Sequence, residues 1–543
     1  MIGHRARPPA SSAALQSTWT TSIWFRRALA VAAGVLLALA FPRPNIAGLA
    51  WVAPALMLLA TRDGNGGSAF RLGCLAGFTH YLVSLSWLLN IPVRFLPILG
   101  WLALAAYCAL YPGVWAWLCD KVRGDKTQER TWLERTAFAL FCATAWVAME
   151  MAISRVFSGF PWNLLGTSQQ RLLPLIQIAA WTGVYGVSFL VVWFSASLLN
   201  AFDALLARPS ARNVWLKELA LPIFTAAVLY AFGFHAMATE PKPTRSLRIA
   251  LVQPNIPQTM AWDPAASDVR FAGLLRLTVA ALTNHPDLVI WPEAAVPKMV
   301  RDDEATARTI SQLARSNGVW FIIGSDDFGY RGSNVLYYNS SFLISPRGEF
   351  LATYRKRRLV IFGEYVPLAD TIPLIKYLTP ISGGFTPGPE PVSFDLAELG
   401  AKASVLICFE DVFPHYAREH ATPDIDFLVN ITNDGWFGEG AAQWQQAAAA
   451  AFRAVENGRP LVRCANNGLS CWIDRFGVIN NIYFDDSTDV YRAGFKIVTV
   501  PMPAPEAKSR RTFYNQHGDM FGWMCVAITV VVGGLRVPLR RRR

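Results

Sequence analysis

Residues 404–411 read Ser-Val-Leu-Ile-Cys-Phe-Glu-Asp, an apolar run that ends on Cys408 and turns at once into two carboxylates. A short apolar run bounded by polar residues reads as a buried strand. Further runs have the same character: Leu247–Gln253, Leu288–Trp291, Trp320–Gly324, Ser340–Ile344, Phe427–Thr432 and Leu461–Ala465. Helical stretches intervene, such as Ala266–Thr283, Glu304–Ser316 and Gln443–Asn457. Buried strands alternating with helices predict an α/β layered domain over residues 245–506. Such domains carry function at the carboxyl ends of their strands, and Cys408 falls at one.

The sequence before residue 240 is different in kind. Over all 543 residues 53% are hydrophobic and 16% charged, against about 25% charged in ordinary soluble domains. The deficit lies in the first 240 residues. A bilayer core about 30 Å thick takes about 20 apolar residues to cross as a helix. Eight runs are candidates: 24–42, 47–61, 69–89, 95–119, 133–153, 173–202, 218–238 and 519–536. The first carries Arg26 and Arg27 and ends Ala38-Leu39-Ala40, as a cleavable signal peptide would. A second apolar run follows almost at once, which favours a retained helix. The expectation is a polytopic α-helical membrane domain of about eight transmembrane helices: seven in residues 1–240, and the eighth at 519–536 after the α/β domain.

The net charge of +12 does not indicate nucleic acid, because the basic residues cluster at the ends of apolar runs and in the tail Arg540–Arg543. Alternate connections, counted from the N-terminal segment, hold nineteen Lys and Arg; the others hold four: Arg43, Arg94, Arg155 and Arg171. Positive charge stays in the cytoplasm. Both termini are therefore expected there, with the α/β domain outside, in the periplasm where the cell has one. The bilayer itself is an expected partner. Of the eight cysteines only Cys408, Cys464 and Cys471 fall in the α/β half. Cys464 and Cys471 could pair in an exported domain. No CxxC or Cys/His spacing suggests a metal, and nothing calls for a cofactor.

Three strand ends carry reactive side chains: Trp291-Pro292-Glu293, Tyr354-Arg355-Lys356, and Ile407-Cys408-Phe409-Glu410-Asp411. Singly, each reads as readily as a helix cap, a surface charge or a core thiol. In this order they resemble the Glu–Lys–Cys triad of the nitrilase (carbon-nitrogen hydrolase) superfamily. The tract Val429-Asn430-Ile431-Thr432-Asn433-Asp434-Gly435-Trp436-Phe437-Gly438 is similar to the strand and loop after that family's cysteine. Leu359-Val360-Ile361-Phe362-Gly363-Glu364-Tyr365-Val366-Pro367 narrows the resemblance to the apolipoprotein N-acyltransferase branch. In the membrane half, Glu150, Arg155, Ser158-Gly159-Phe160-Pro161-Trp162 and Gly166-Thr167-Ser168-Gln169 look like the same family. Ile361 stands where that pattern has Pro, Arg357 and Arg358 replace a His-containing pair, and Phe409 replaces Tyr.

The resemblance implies an α-β-β-α sandwich beside the membrane helices, in the bacterial inner membrane. It also implies transfer of an acyl chain from a membrane phospholipid, through a cysteine thioester, to the α-amine of a lipoprotein's N-terminal diacylglyceryl-cysteine. The residue types suit that chemistry. Glu293 can take the thiol proton and return it to the leaving oxygen. Lys356 and the Phe409 N–H can stabilise a tetrahedral oxyanion. Glu364 either orients Lys356 or is a surface ion pair; Glu410 either orients the site or pairs with a neighbouring Arg. Trp436, Phe437 and Leu378 lie in apolar loops that either guide an acyl chain or pack into the domain's own core. A membrane-tethered amidase hydrolysing a small amide is the rival reading, although one anchor helix would serve it. A transporter with a degenerate domain fits less well, since intramembrane charge is sparse.

Overall fold

The computed structural model describes residues 22–62, 64–123, 130–207, 213–240, 243, 245–367, 384–484, 487–502 and 511–536. The alternating strands form two facing six-stranded sheets. In one the order is β12-β1-β2-β3-β4-β5, with β1 Arg245–Gln253, β2 Leu288–Ile290, β3 Trp320–Arg331, β4 Asn334–Ile344, β5 Phe350–Arg355 and β12 Gly494–Met502. In the other it is β11-β10-β9-β8-β7-β6, with β6 Ser393–Leu396, β7 Ala401–Ile407, β8 Phe427–Thr432, β9 Leu461–Ala465, β10 Cys471–Ile473 and β11 Ile479–Asn480. The central pairs β1–β2–β3 and β7–β8–β9 are parallel. Parallel strands are covered on both faces, which is why they read as continuous apolar runs. Ile249, Ile290, Ile322, Val405, Val429 and Val462 fill the space between the sheets. Helices cover the outer faces, completing an α-β-β-α sandwich.

Before the sandwich come helices α1 Ile23–Leu39, α2 Ala53–Thr61, α3 Gly66–Ser84, α4 Leu96–Arg123, α5 Trp132–Ile153, α6 Val184–Ala207 and α7 Val214–Ala238. Four of them, α4 to α7, are long and apolar enough to cross a membrane. Ala47–Thr61, Leu173–Thr182 and Met520–Leu535 are apolar but shorter. On α7, Ile223, Phe224, Phe232 and Phe234 are exposed, a burden in water and no cost against lipid. Small residues let α3 and α4 approach closely. A side chain on Gly73 would meet Ala116 at 2.7 Å, and one on Gly77 would meet Pro112 at 2.9 Å.

The structure corrects one span. Residues 173–202 are not a single helix: two short turns, Leu173–Ile176 and Ala179–Thr182, precede α6. Gly183, at φ +67°, makes the break, and any side chain there would strike the Tyr514 ring at 2.7 Å. The tract Pro241–Arg245, which reads as a short hinge between the two halves of the sequence, falls mostly outside the described residues.

The sandwich is docked on the bundle through helix α8, Ala442–Asn457. The Gln445 side chain accepts from the indole N–H groups of Trp87 (3.1 Å) and Trp162 (2.7 Å). It donates to the carbonyls of Pro42 (2.9 Å) and Ser84 (3.1 Å). Glu456 accepts from the Val184 N–H at 2.8 Å, at the start of α6, and is held by Arg453 at 2.7 Å. Gln445→Leu would leave four buried groups without a partner, each costing about 1–3 kcal/mol. The variant should lose at least about 3 kcal/mol of stability, seen as a lower midpoint in thermal unfolding of the detergent-solubilised protein. An unchanged midpoint would refute the docking role.

Candidate active site

Three strand ends meet across the two sheets. Glu293 follows β2, Lys356 follows β5, and Cys408 follows β7. Cys408 sits at φ +52°, a conformation that costs a non-glycine residue about 1–2 kcal/mol and turns the chain sharply off the strand. Its carbonyl is held by Asn430 Nδ2 at 3.0 Å and Gln446 Nε2 at 2.9 Å, so the turn is fixed from both sides. Gln446 also donates to Asp411, which pairs with the buried Arg463.

Lys356 is 1% exposed, and its ammonium lies 3.0 Å from Glu293 Oε1 and 2.9 Å from Glu364 Oε1. A buried ammonium persists only when paired and hydrogen-bonded. Asn339 Nδ2 bridges the same two oxygens at 2.8 and 2.9 Å. The other oxygen of Glu293 accepts from the Asn433 N–H at 2.9 Å, and that of Glu364 from the Val360 N–H at 2.8 Å. Burial opposes the Lys356 charge, but Glu293 and Glu364 raise its pKa well above the ordinary value. Glu364 is therefore a buried partner of Lys356 and not a surface ion pair. Burial first, then the Glu293 charge, push the Cys408 thiol well up, against the pull of Lys356. The resting site pairs a neutral thiol with a carboxylate and a cation. Asp326, on β3, is raised to about 7 by burial and by Glu293 and Glu364.

Among the described residues no arginine side chain pairs with Glu410. Its carboxylate accepts the N–H groups of Arg357 (2.7 Å), Arg358 (2.9 Å) and Ile407 (2.7 Å), and the Tyr354 hydroxyl lies 2.9 Å from both oxygens. It thereby ties the chain just after Lys356 to the chain just before Cys408.

The Phe409 ring stacks toward Phe160 at 6.0 Å and Trp162 at 6.1 Å, from the segment after α5, and toward Phe413 at 4.9 Å. Trp436 packs on Trp262 at 5.3 Å. Phe437 packs on Trp87 at 4.6 Å, and its carbonyl accepts from Asn90. Both are half-buried in contacts of the chain itself. Leu378 lies outside the described residues. Cys464 and Cys471 are buried free thiols, with the Cys464 sulfur directed at the Ile290 carbonyl. Sequence reasoning missed Asn339, Gln446 and the roles of Asn430 and Asn433. An amide inside an apolar strand, as Asn430 is, was the one available signal.

A thiol at a strand end, a carboxylate able to take its proton and a fixed cation together suit acyl transfer. Residues 33–197 match the model of the apolipoprotein N-acyltransferase N-terminal domain, and residues 248–490 that of the carbon-nitrogen hydrolases. The apolipoprotein N-acyltransferase of Geobacter metallireducens is 38% identical over 93% of this chain and 94% of its own. That of Azotobacter vinelandii is 32% identical over 84% and 86%. An amidase from Nesterenkonia sp. overlaps 48% of this chain and 92% of its own at 20% identity, with a TM-score of 0.35. With relatives matched along nearly their full lengths, the chain belongs to the apolipoprotein N-acyltransferase family.

Proposed function

We propose that this chain moves an acyl group from a membrane phospholipid to the α-amine of a lipoprotein's N-terminal diacylglyceryl-cysteine, by way of a thioester on Cys408. The observation that carries this reading is the Glu293–Lys356–Glu364 cluster facing a cysteine in a sandwich docked on an apolar bundle. Glu293 takes the thiol proton as sulfur attacks the ester carbonyl. Lys356, with the Phe409 N–H, stabilises the oxyanion. The carbon–oxygen bond then breaks, and Glu293 returns the proton to the departing lysophospholipid. In the second half Glu293 takes a proton from the amine as nitrogen attacks the thioester, the carbon–sulfur bond breaks, and the proton passes to the sulfur to restore the thiol. One site serving two bulky lipids in turn gives ping-pong kinetics. The docking through Gln445 and Glu456 favours a transferase over a tethered amidase, which needs no bundle.

The finer topology belongs to the same reading. Eight spans, seven in residues 1–240 and one at 519–536, would put both termini in the cytoplasm. The catalytic domain, residues 245–506, would then lie on the periplasmic face of the inner membrane. The Lys and Arg distribution supports this, as do the exposed apolar faces of α7 and the C-terminal helix. Trp436 and Phe437 would border the acyl path from their packed positions, and Leu378 would join them.

Cys408→Ala should abolish the acyl-enzyme in intact mass spectra, whereas Cys464→Ala and Cys471→Ala should retain it; the reverse pattern would overturn the assignment. Glu293→Gln should block thioester formation. Lys356→Ala should slow single-turnover acylation by about 10²–10³, with little rescue by Lys356→Arg, whose planar fork does not fit a point-charge site. Normal acylation in Lys356→Ala would remove that residue from the mechanism. Glu410→Gln sets an amide N–H against backbone N–H groups. It should lower acylation by roughly 10² through misplacement, while alkylation of Cys408 by a small reagent changes little. Equal loss of both would make Glu410 a purely structural residue. Reporters fused after Arg543 and inserted near Gly332 should lie on opposite sides of the membrane; a shared side would break the eight-span topology.

A further inference from the structure

Two residues beyond Lys356 the chain presents a guanidinium whose partners are aromatic rings. Arg358 lies over the Phe413 ring at 5.0 Å and the Tyr416 ring at 5.9 Å. Its backbone N–H is fixed by Glu410, the carboxylate that also fixes the strand end before Cys408. Among the described residues no carboxylate pairs with the Arg358 side chain. Its neighbours differ. Arg357, over Tyr416 at 5.1 Å, is paired with Glu419 at 2.7 Å. Arg155, over Trp523 at 5.2 Å, is paired with Asp519.

Against the same two rings stands His415, 5.9 Å from Phe413 and 5.0 Å from Tyr416, with a buried Nδ1 that has no hydrogen-bond partner among the described residues. Burial and the charges of Arg155, Arg358 and Arg453 hold this imidazole neutral, pushed down to about 4 against the pull of Asp519. Among the described residues Arg155, Arg357 and Arg453 each have a carboxylate against the side chain, and the Arg358 guanidinium has none. The group lies where the sandwich meets the bundle: Phe413 and Tyr416 pack in the same apolar cluster as Met151, Ile153, Phe160 and Trp162. A guanidinium stacked on rings at a membrane boundary is preorganised for a phosphate, which it grips with parallel N–H donors.

The geometry points to Arg358 as the residue that binds the phosphodiester of the acyl donor while its ester carbonyl lies at Cys408. This rests on the acyl-transfer reading above and deepens it. Only the donor carries a phosphate; the diacylglyceryl-cysteine acceptor has none. Arg358 therefore acts in the first half-reaction and discriminates the two substrates by charge.

The test uses the full-length protein in nanodiscs and follows the thioester on Cys408 by intact mass. Donors are phosphatidylglycerol, phosphatidylethanolamine and the phosphate-free diacylglycerol. Wild type should prefer both phospholipids over diacylglycerol. In Arg358→Gln that preference should shrink roughly tenfold or more, the size of one charge-assisted hydrogen bond, and Arg358→Lys should recover part of it. Alkylation of Cys408 by iodoacetamide reports that each variant is folded. An unchanged preference in Arg358→Gln would overturn the proposal. So would a loss confined to one headgroup, which would move the contact off the phosphate. Inhibition of wild type by inorganic phosphate that Arg358→Gln abolishes, with the donor preference intact, would assign the site to a free anion and overturn it equally. A wild-type protein that forms no thioester with any donor would instead overturn the catalytic reading beneath it.

Discussion

Glu410 holds together two parts of the molecule that the backbone leaves separate. Among the described residues no strand of one sheet pairs with a strand of the other; packing between their faces and single side-chain bonds, such as that from the Asn433 N–H to Glu293, set the spacing. Lys356 emerges from one sheet and Cys408 from the other. One buried carboxylate takes N–H groups from both strand ends and ties the two directly. Charge-assisted bonds to several donors at once are short and directional. They convert an approximate packing distance into a fixed one. The cost is a buried charge, which Tyr354 helps to offset.

The same economy governs the cation. Lys356 is nearly inaccessible, yet two carboxylates, themselves bridged by the Asn339 amide, hold it charged. Its field does not ionise Cys408, because burial and Glu293 prevail. A protonated thiol is a poor target for oxidants. In the proposed reaction the thiolate forms only when Glu293 takes the proton, with an acyl carbonyl in place to receive the attack.

Legibility in the sequence followed burial. Phe427–Thr432 and Leu461–Ala465, parallel strands covered on both faces, stand where their apolar runs end. Phe350–Arg355, Ser393–Leu396 and Gly494–Met502 were unreadable, since antiparallel strands with a half-exposed face mix polar and apolar residues without a clean run. The break at Gly183 was hidden because its cause, the Tyr514 ring, lies more than three hundred residues away. Strand ends drew attention to Glu293, Lys356 and Cys408, and the fold places Glu293 against Lys356. Asn339 lies in the polar-looking stretch Tyr338-Asn339-Ser340-Ser341, which carries no mark of the ion cluster it bridges. Glu410 could be noticed but not interpreted, for its partners are mostly backbone N–H groups, which every residue has.

The grip on Gln445 bears on how the reaction is supplied. Held by four hydrogen bonds among two indoles and two carbonyls of the bundle, the catalytic unit cannot swing out to collect a molecule and carry it back. In the proposed reaction its lipid substrates then arrive by drifting in the plane of the bilayer. Turnover then answers to crowding in two dimensions: to the fraction of the membrane each lipid occupies and to how fast it diffuses sideways. Diluting the membrane with inert lipid would slow the enzyme, while diluting the surrounding water would not.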